Sequence, residues 1–345
     1  MASVAPERLM EAVVEVLQGL GTGAEEAAIV AESLVRAEMR GTDTHGLPYL
    51  KLLAERIEAG LVTVPTRVCV LRDEGGVALL DGGNGIGQVA GWRAMERSLA
   101  KARGLGVGLT LVRNTNNLGF LAFYTTRAAA QGFVGIAMGN ANAAISPWGG
   151  AEAFFGTNPL SIAVPGPGGG PALDMSSSVV ARGKIRRAQR LGERIPLGWA
   201  LDAAGRPTED PAAALEGTLL PIGGPKGYGL ALMVDVLAGI LSGSAFGQEI
   251  QSFHQPMGPT RVGALTLAIH IEQFMPVSRF QELMQGYADA IHASRKVAGT
   301  DRIYLPGEIE SEREQKSRER GIELSPASVS MVNQLLEKRG SPLRL

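Results

Sequence analysis

The hydrophobic period of this chain changes twice, and that limits the folds open to it. After Pro6, a residue suited to a first helical turn, Leu9, Val13, Val14 and Leu17 recur at helical spacing until Gly19, Gly21 and Gly23 break the pattern. A second helix is expected over residues 24–39 and a third over 49–57, stopping at Gly60. From Val68 onward, short apolar or alternating runs (VCVLRD, VALLD, LGVGLTLVR, FVGIAMGN, LSIAVP) read as strands, with helical stretches between them at 92–103 and 123–131. Strands alternating with helices imply an α/β sheet unit. The tail, residues 280–291 and 307–338, returns to charged amphipathic helices. The expected organisation is an N-terminal helical part over 1–65 and an α/β cofactor- and substrate-binding part over 66–278. C-terminal helices over 279–345 then fold back to complete a discontinuous helical domain.

Composition narrows the function. With 33 basic and 34 acidic side chains mixed along 345 residues, no field favours nucleic acid or anionic lipid, and neither is expected as a partner. The lone cysteine, Cys69, excludes an intrachain disulfide and a Cys-based metal framework, which fits a reducing, cytoplasmic compartment. The first residues carry acids in helical register and lack the basic start and apolar run of a secretory leader. The most apolar segment, 228–246, is interrupted by Asp235 and several glycines and reads as a buried helix rather than a membrane span.

His45, one of four histidines, is the candidate for acid–base chemistry. It ends the stretch AEMRGTDTH beyond the second helix, beside Asp43, Thr42, Thr44 and glycines that leave room for a ligand, and a free imidazole titrates near roughly 6.5. The same residues also make an ordinary polar helix cap. His254 and His270 lie in apolar, strand-like surroundings and His292 on an amphipathic helix; none has a partner at metal-ligand spacing, so no metal site is expected.

Several loops suit a phosphate-bearing ligand. Gly85, Gly87 and Ala90 satisfy a G-x-G-x-x-A pattern after VALLD, with Arg113 ending a later apolar run; a dinucleotide turn and a plain glycine turn fit it alike. Asn140 opens a glycine-rich stretch that ends in Gly156-Thr157-Asn158-Pro159, placing backbone donors and an amide at a strand mouth. LDMSSSVVARGK then offers Asp174, Met175, Ser176 and Lys184, and GGPKGYG presents Lys226 before the apolar segment. A serine-rich helix cap accounts for the LDMSSS loop equally well.

Taken together, RGTDTHG, GTNP, LDMSSSVVARGK, IPLGWALDAAGRPTEDP, GGPKGYGLAL and LPGE resemble the type 2 malate/L-lactate dehydrogenases. That family also includes sulfolactate and ureidoglycolate dehydrogenases, diketogulonate reductase and ketimine reductases. The resemblance implies an oxidoreductase using NAD or NADP on a small-molecule substrate. It implies a nicotinamide-binding sheet domain that is not a Rossmann fold, and a homodimer with the cleft near the subunit boundary. It also reduces Gly85 and Gly87 to a structural turn. By the same resemblance His45 is the catalytic histidine, with Thr44 in place of the motif's serine, and Asn140, Asp174, Met175, Ser176, Lys226 and the Pro306-Gly307-Glu308 loop contact the cofactor. Thr157, Asn158 and Lys184 are further candidates.

Two departures stand out. Where the family carries an arginine four residues after the histidine, a fork for the substrate carboxylate, this chain has Tyr49. Where it carries a second histidine, this chain has Asn117, which hydrogen-bonds but does not exchange a proton. We therefore expect hydride transfer to a ketone or imine of atypical kind, with His45 as proton donor oriented by Asp43 and with Tyr49 and Asn117 lining the pocket. The alternatives are an ordinary 2-hydroxy-acid dehydrogenase whose clamp has moved to Arg113, Arg186 or Arg187, and a cofactor-binding relative without redox activity.

Overall fold

The computed structural model describes residues 2–255 and 257–345, with the side chains of Ala2 and Asp43 outside that description. A short strand β1 (Ala2–Val4) precedes α1 (Pro6–Gln18), α2 (Ala24–Arg40) and α3 (Leu47–Glu58). Pro6 opens α1 and Pro48 lies in the first turn of α3, where a missing N–H costs nothing. The middle of the chain runs β2 (Cys69–Glu74), β3 (Val77–Asp81), α4 (Gly87–Leu105), β4 (Val107–Thr115), α5 (Ala122–Ala130), β5 (Phe133–Gly139), β6 (Leu160–Ala163) and β7 (Ala172–Met175). Next come α6 (Arg182–Leu191), β8 (Ala200–Leu201), α7 (Pro211–Glu216), β9 (Thr218–Leu219), α8 (Pro225–Val234) and β10 (Val262–His270). The chain ends in α9 (Val277–His292), α10 (Glu308–Arg320), β11 (Ile322–Leu324) and α11 (Pro326–Glu337).

Seven strands form one sheet in the order β2-β3-β4-β10-β5-β6-β7. Only β3 and β4 run parallel, joined by α4; β2–β3, β5–β6 and β6–β7 are antiparallel neighbours in chain order, and β10, arriving from far along the chain, inserts antiparallel to both β4 and β5. The β3–α4–β4 unit has the local form of a dinucleotide-binding crossover, but its glycines serve packing. A Cβ on Gly87 would lie 2.1 Å from the Asn117 carbonyl oxygen, and one on Gly85 would lie against the Thr66 side chain. Close backbone approach, with no space left for a pyrophosphate, is what these glycines provide.

Three apolar clusters hold the elements. Leu80, Met95, Leu99, Val112, Phe123 and Tyr124 join α4 and α5 to the sheet. Ile145, Phe155, Ile185, Ile195, Leu219 and Ala231 form a smaller core among α6, β9 and α8. The third draws on both chain ends: Leu9, Val13 and Leu17 of α1 and Leu34 of α2 pack with Ile322 and Leu324 of β11 and with Val332 and Leu336 of α11, and β1 pairs antiparallel with β11. α9 does not join that core. It buries only Ala288, and Val277 and Met284 approach Gly132 and Gly166 beside the sheet.

Segment 228–246 differs from the expected buried helix. α8 continues through a π-helical turn, Asp235–Ile240, whose inner side buries Ala231, Val234, Asp235 and Ala238, while Met233, Ile240 and Leu241 are 49%, 52% and 57% exposed. Among the described residues no helix is long and apolar enough to cross a membrane, and no cluster of three or more His, Cys, Asp or Glu side chains could hold a metal ion.

Candidate active site

α2 stops at Gly41, whose left-handed conformation (φ 72°) turns the chain into a single 3-10 turn, Asp43–His45, before α3 begins. The His45 N–H donates to the Thr42 carbonyl at 2.9 Å, and Thr44 Oγ1 lies 3.1 Å from His45 Nδ1. The turn therefore fixes the ring through one nitrogen and leaves the other for the cleft. His45 lines a cleft of about 910 Å³. Its ring keeps some exposed surface there, yet burial among protein atoms lowers its pKa to about 4, so the resting imidazole is neutral.

Asn117 stands on the same cleft at the loop after β4. Its Oδ1 accepts from the Gly119 N–H at 2.8 Å and its carbonyl accepts from the Tyr49 hydroxyl at 3.2 Å, so Nδ2 is the atom it offers to a ligand. Tyr49 is buried, 5% exposed, and its ring stacks on Phe253 with centroids 5.1 Å apart. Burial raises its hydroxyl well above the usual tyrosine range. It is a wall and a brace for Asn117, not an acid. The side chain of Asp43, expected to orient His45, lies outside the described residues.

Cofactor candidates divide into two groups. Thr44, Thr157, Asp174, Met175, Ser176, Lys184, Pro306 and Gly307 all line the cleft. Asp174 ends β7 and accepts from the Ala122 N–H at the start of α5 at 2.8 Å. Its carboxylate keeps an exposed surface, but burial outweighs the Ala122 N–H and Arg40 and pushes it up to about 6. Ser176 Oγ lies 3.0 Å from Ser178 Oγ, so hydroxyls and a carboxylate follow one another along this wall.

The other four candidates do not line this cleft, although Asn140 lines a small cavity beside it with His45 and Asn117. Asn140 is buried and its amide is consumed: Nδ2 donates to Asp235 and to the Ala245 carbonyl, both at 2.9 Å, and Oδ1 accepts from the Gly263 N–H at 2.8 Å. Asn158, at φ 35°, accepts from the Ala141 N–H and donates to the Ala231 carbonyl. Both amides tie loops together, because buried backbone groups need partners. Glu308 faces Arg302, His292 and the Leu305 N–H instead of the cleft, and Lys226 stands on the exposed first turn of α8 outside it.

Of the arginines considered for a moved clamp, Arg113 is engaged with Asp81 at 2.9 Å away from the cleft, and Arg187 does not line it. Arg186 does, together with Arg182. His254 lies on the cleft wall too, in the loop after the π-helical segment and not in a strand. Arg56 holds that loop by donating to the carbonyls of Phe253, Gln255 and Gly258 at 3.3, 3.0 and 2.8 Å, with its guanidinium 4.7 Å from the Phe253 ring centroid. Nothing local in the sequence signals this placement, since the contacts join α3 to a loop two hundred residues on. A neighbouring cavity of about 760 Å³ shares Arg40, Ala172 and Gly307 with the cleft but contains no histidine, so the candidate acid–base residue belongs to the larger one.

The residues present suit a nicotinamide dinucleotide. The cleft has the volume for one. Asp174 and the Ser176–Ser178 hydroxyls can accept from ribose hydroxyls and donate to phosphate oxygens, and a neutral imidazole stands beside the Asn117 amide. Comparison with known proteins agrees. The malate/L-lactate dehydrogenase family model matches residues 4–333. A malate dehydrogenase of Pyrococcus abyssi is 39% identical over 88% of this chain and 85% of its own length. A (2R)-3-sulfolactate dehydrogenase (NADP(+)) of Chromohalobacter salexigens is 37% identical over 92% of each. The crystal structure of delta1-piperideine-2-carboxylate reductase from Pseudomonas syringae superposes with a TM-score of 0.88 at 27% identity, covering 97% of this chain and 100% of that one. With its mixed sheet, its helices drawn from both chain ends and its histidine-bearing cleft, the chain belongs to the malate/L-lactate dehydrogenase family of oxidoreductases.

Proposed function

We propose that this protein is an NAD(P)-dependent reductase that transfers a hydride to a ketone or imine whose acidic group is not anchored at position 49. The observation that carries the reading is the pairing of His45 with Asn117 on a cleft whose wall at position 49 is an uncharged, buried tyrosine. The relatives act, by name, on malate, sulfolactate and a cyclic imine carboxylate, so both C=O and C=N substrates are within the scaffold's reach.

The reduced cofactor, NADH or NADPH, supplies the hydride. Asp174, Met175, Ser176, Pro306 and Gly307 hold it along one wall, with Thr44 and Thr157 near His45. Asn117 Nδ2 donates a hydrogen bond to the carbonyl oxygen or imine nitrogen, which draws electron density from the carbon under attack. His45 moves the single proton: it gives one to that heteroatom in reduction and takes one from the alcohol or amine in oxidation. Phe253 and Tyr49 close the site with apolar surface and keep water from the reacting carbon. A cofactor-binding protein without chemistry is the weaker reading, because the imidazole lines the cleft together with the Asn117 amide. We also propose a homodimer.

Stopped-flow oxidation of NADH and NADPH over a panel of 2-oxo acids, neutral ketones and cyclic imines tests the reading. Turnover of an imine or an unusual keto acid is expected. Efficient reduction of oxaloacetate or pyruvate, to malate or lactate, rejects the altered substrate, and failure to bind either reduced nucleotide rejects the whole assignment.

A further inference from the structure

Arg182 and Arg186 stand four residues apart on α6 and therefore share a helix face, and both line the cleft. Neither forms an ion pair among the described residues. Arg182 Nη2 donates to the Gly217 carbonyl at 3.0 Å, while its Nε is buried without a partner. The two guanidinium groups are close enough that, after burial, Arg186 is the largest influence depressing the Arg182 pKa. His254 lines the same cleft, and burial followed by the charges of Arg186, Arg182 and Arg56 lowers its pKa. Two guanidinium groups gathered on one wall, with Glu216 offsetting Arg182 only in part, are costly, and proteins keep such arrangements where a ligand relieves them.

The wall is also in the right place. Gly183, between Arg182 and Lys184, is packed so that a Cβ there would lie 2.8 Å from the Thr44 methyl carbon. The first turn of α6 is thus pressed against the turn that carries His45. Asp174 and Glu310 line the same cleft, with the Arg40 guanidinium acting on Asp174.

We propose that Arg182 and Arg186, together with His254, form the anion subsite of this active site, and that it grips the carboxylate of a 2-oxo or cyclic imino acid whose reducible carbon lies at His45. The inference rests on the reductase reading and names the group that replaces the missing clamp. Two guanidinium forks match a planar carboxylate, and His254 adds a third donor when protonated.

Oxalate is a suitable probe, measured by isothermal titration on full-length protein saturated with NADH or NADPH. Arg186 is exposed, so Arg186→Gln leaves the core intact, whereas Arg182 also holds Gly217 and is the poorer choice. We expect Arg186→Gln to weaken oxalate binding on the order of 30-fold with nucleotide affinity unchanged. Arg186→Lys should recover part of the loss. Saturation with oxalate should also raise the His254 pKa, followed through its imidazole proton resonances. The proposal is overturned if wild-type protein does not bind oxalate, if Arg186→Gln binds it equally well, or if that variant instead loses nucleotide affinity, which would assign the corner to cofactor phosphates. Because the readout is binding, a protein that reduces no substrate would sink the reductase reading without deciding this one.

Discussion

At the scale of single residues, the chemistry turns on an imidazole kept neutral. Burial lowers the His45 pKa to about 4, so between pH 5 and 8 the ring is the base form that alcohol oxidation needs. We predict that kcat/KM for oxidation is level across that range and falls as pH drops through about 4, while kcat/KM for reduction rises as pH falls. An acidic limb near 6.5 in the oxidation profile would contradict the burial argument. Replacing His45 by alanine should lower kcat by roughly 10²–10⁴-fold with nucleotide affinity, read by fluorescence, unchanged. Restoring the family arginine should fail. Tyr49 is buried against Phe253, and Arg56 lies on that same ring, so Tyr49→Arg would place a second guanidinium in an occupied site. A loss of about 3 kcal/mol or more in urea unfolding is expected. The residues at 45, 49 and 117 were legible in the sequence because each sits inside a short motif. At 140 and 158 the amides meet loop backbone, since an amide in a glycine-rich loop satisfies buried backbone groups as readily as it meets a ligand, and only the fold shows these bonds.

Between elements, the position of the catalytic turn depends on how α2 meets α10. Glu314 of α10 accepts from Arg36 Nε at 3.2 Å, Arg40 Nη1 at 2.9 Å and Arg318 Nη2 at 2.7 Å, and Arg40 is the last residue of α2 before the His45 turn. Burial alone would raise the Glu314 carboxyl, but Arg36, Arg318 and Arg40 outweigh it and hold it at about 2. A depressed carboxylate stabilises the fold above its unfolded value near 4.5, and that contribution is lost as pH falls toward 2. Glu314→Ala leaves a buried Arg40 guanidinium uncompensated and should cost about 3–5 kcal/mol in denaturant unfolding at pH 7, with the difference from wild type shrinking below pH 4. An equal loss at every pH would show that packing, not charge, carries the contact. The sequence indicated helices at both chain ends but not this register, since ion pairing across nearly the whole chain leaves no local trace. The sheet shows the same limit. β2 to β6 were legible as apolar or alternating runs, but β10 inserts between β4 and β5 from far along the chain, and no nearby residue encodes that pairing.

For the molecule as a whole, the apolar segment at 228–246 marks the boundary of what composition can say. A run of this hydropathy must leave water, but the sequence alone does not distinguish a core from a contact between copies. Here the inner side is filled by Ala231, Val234 and Ala238, while Met233, Ile240 and Leu241 face outward, and Phe246, further along the chain, is 39% exposed. Large apolar side chains gathered on one outer face are uncommon on a monomer and typical of an interface. We therefore predict that this face is buried in the proposed homodimer. Ile240→Glu combined with Leu241→Glu should convert a dimer to a monomer in sedimentation velocity at micromolar concentration, because each new carboxylate would have to be desolvated opposite its apolar counterpart. Both positions are more than half exposed in the single chain, so the monomer's own core loses nothing and its circular dichroism should be unchanged. Wild-type protein that sediments as a monomer, or a double variant that still dimerises, would place the contact elsewhere and leave this apolar face without a partner.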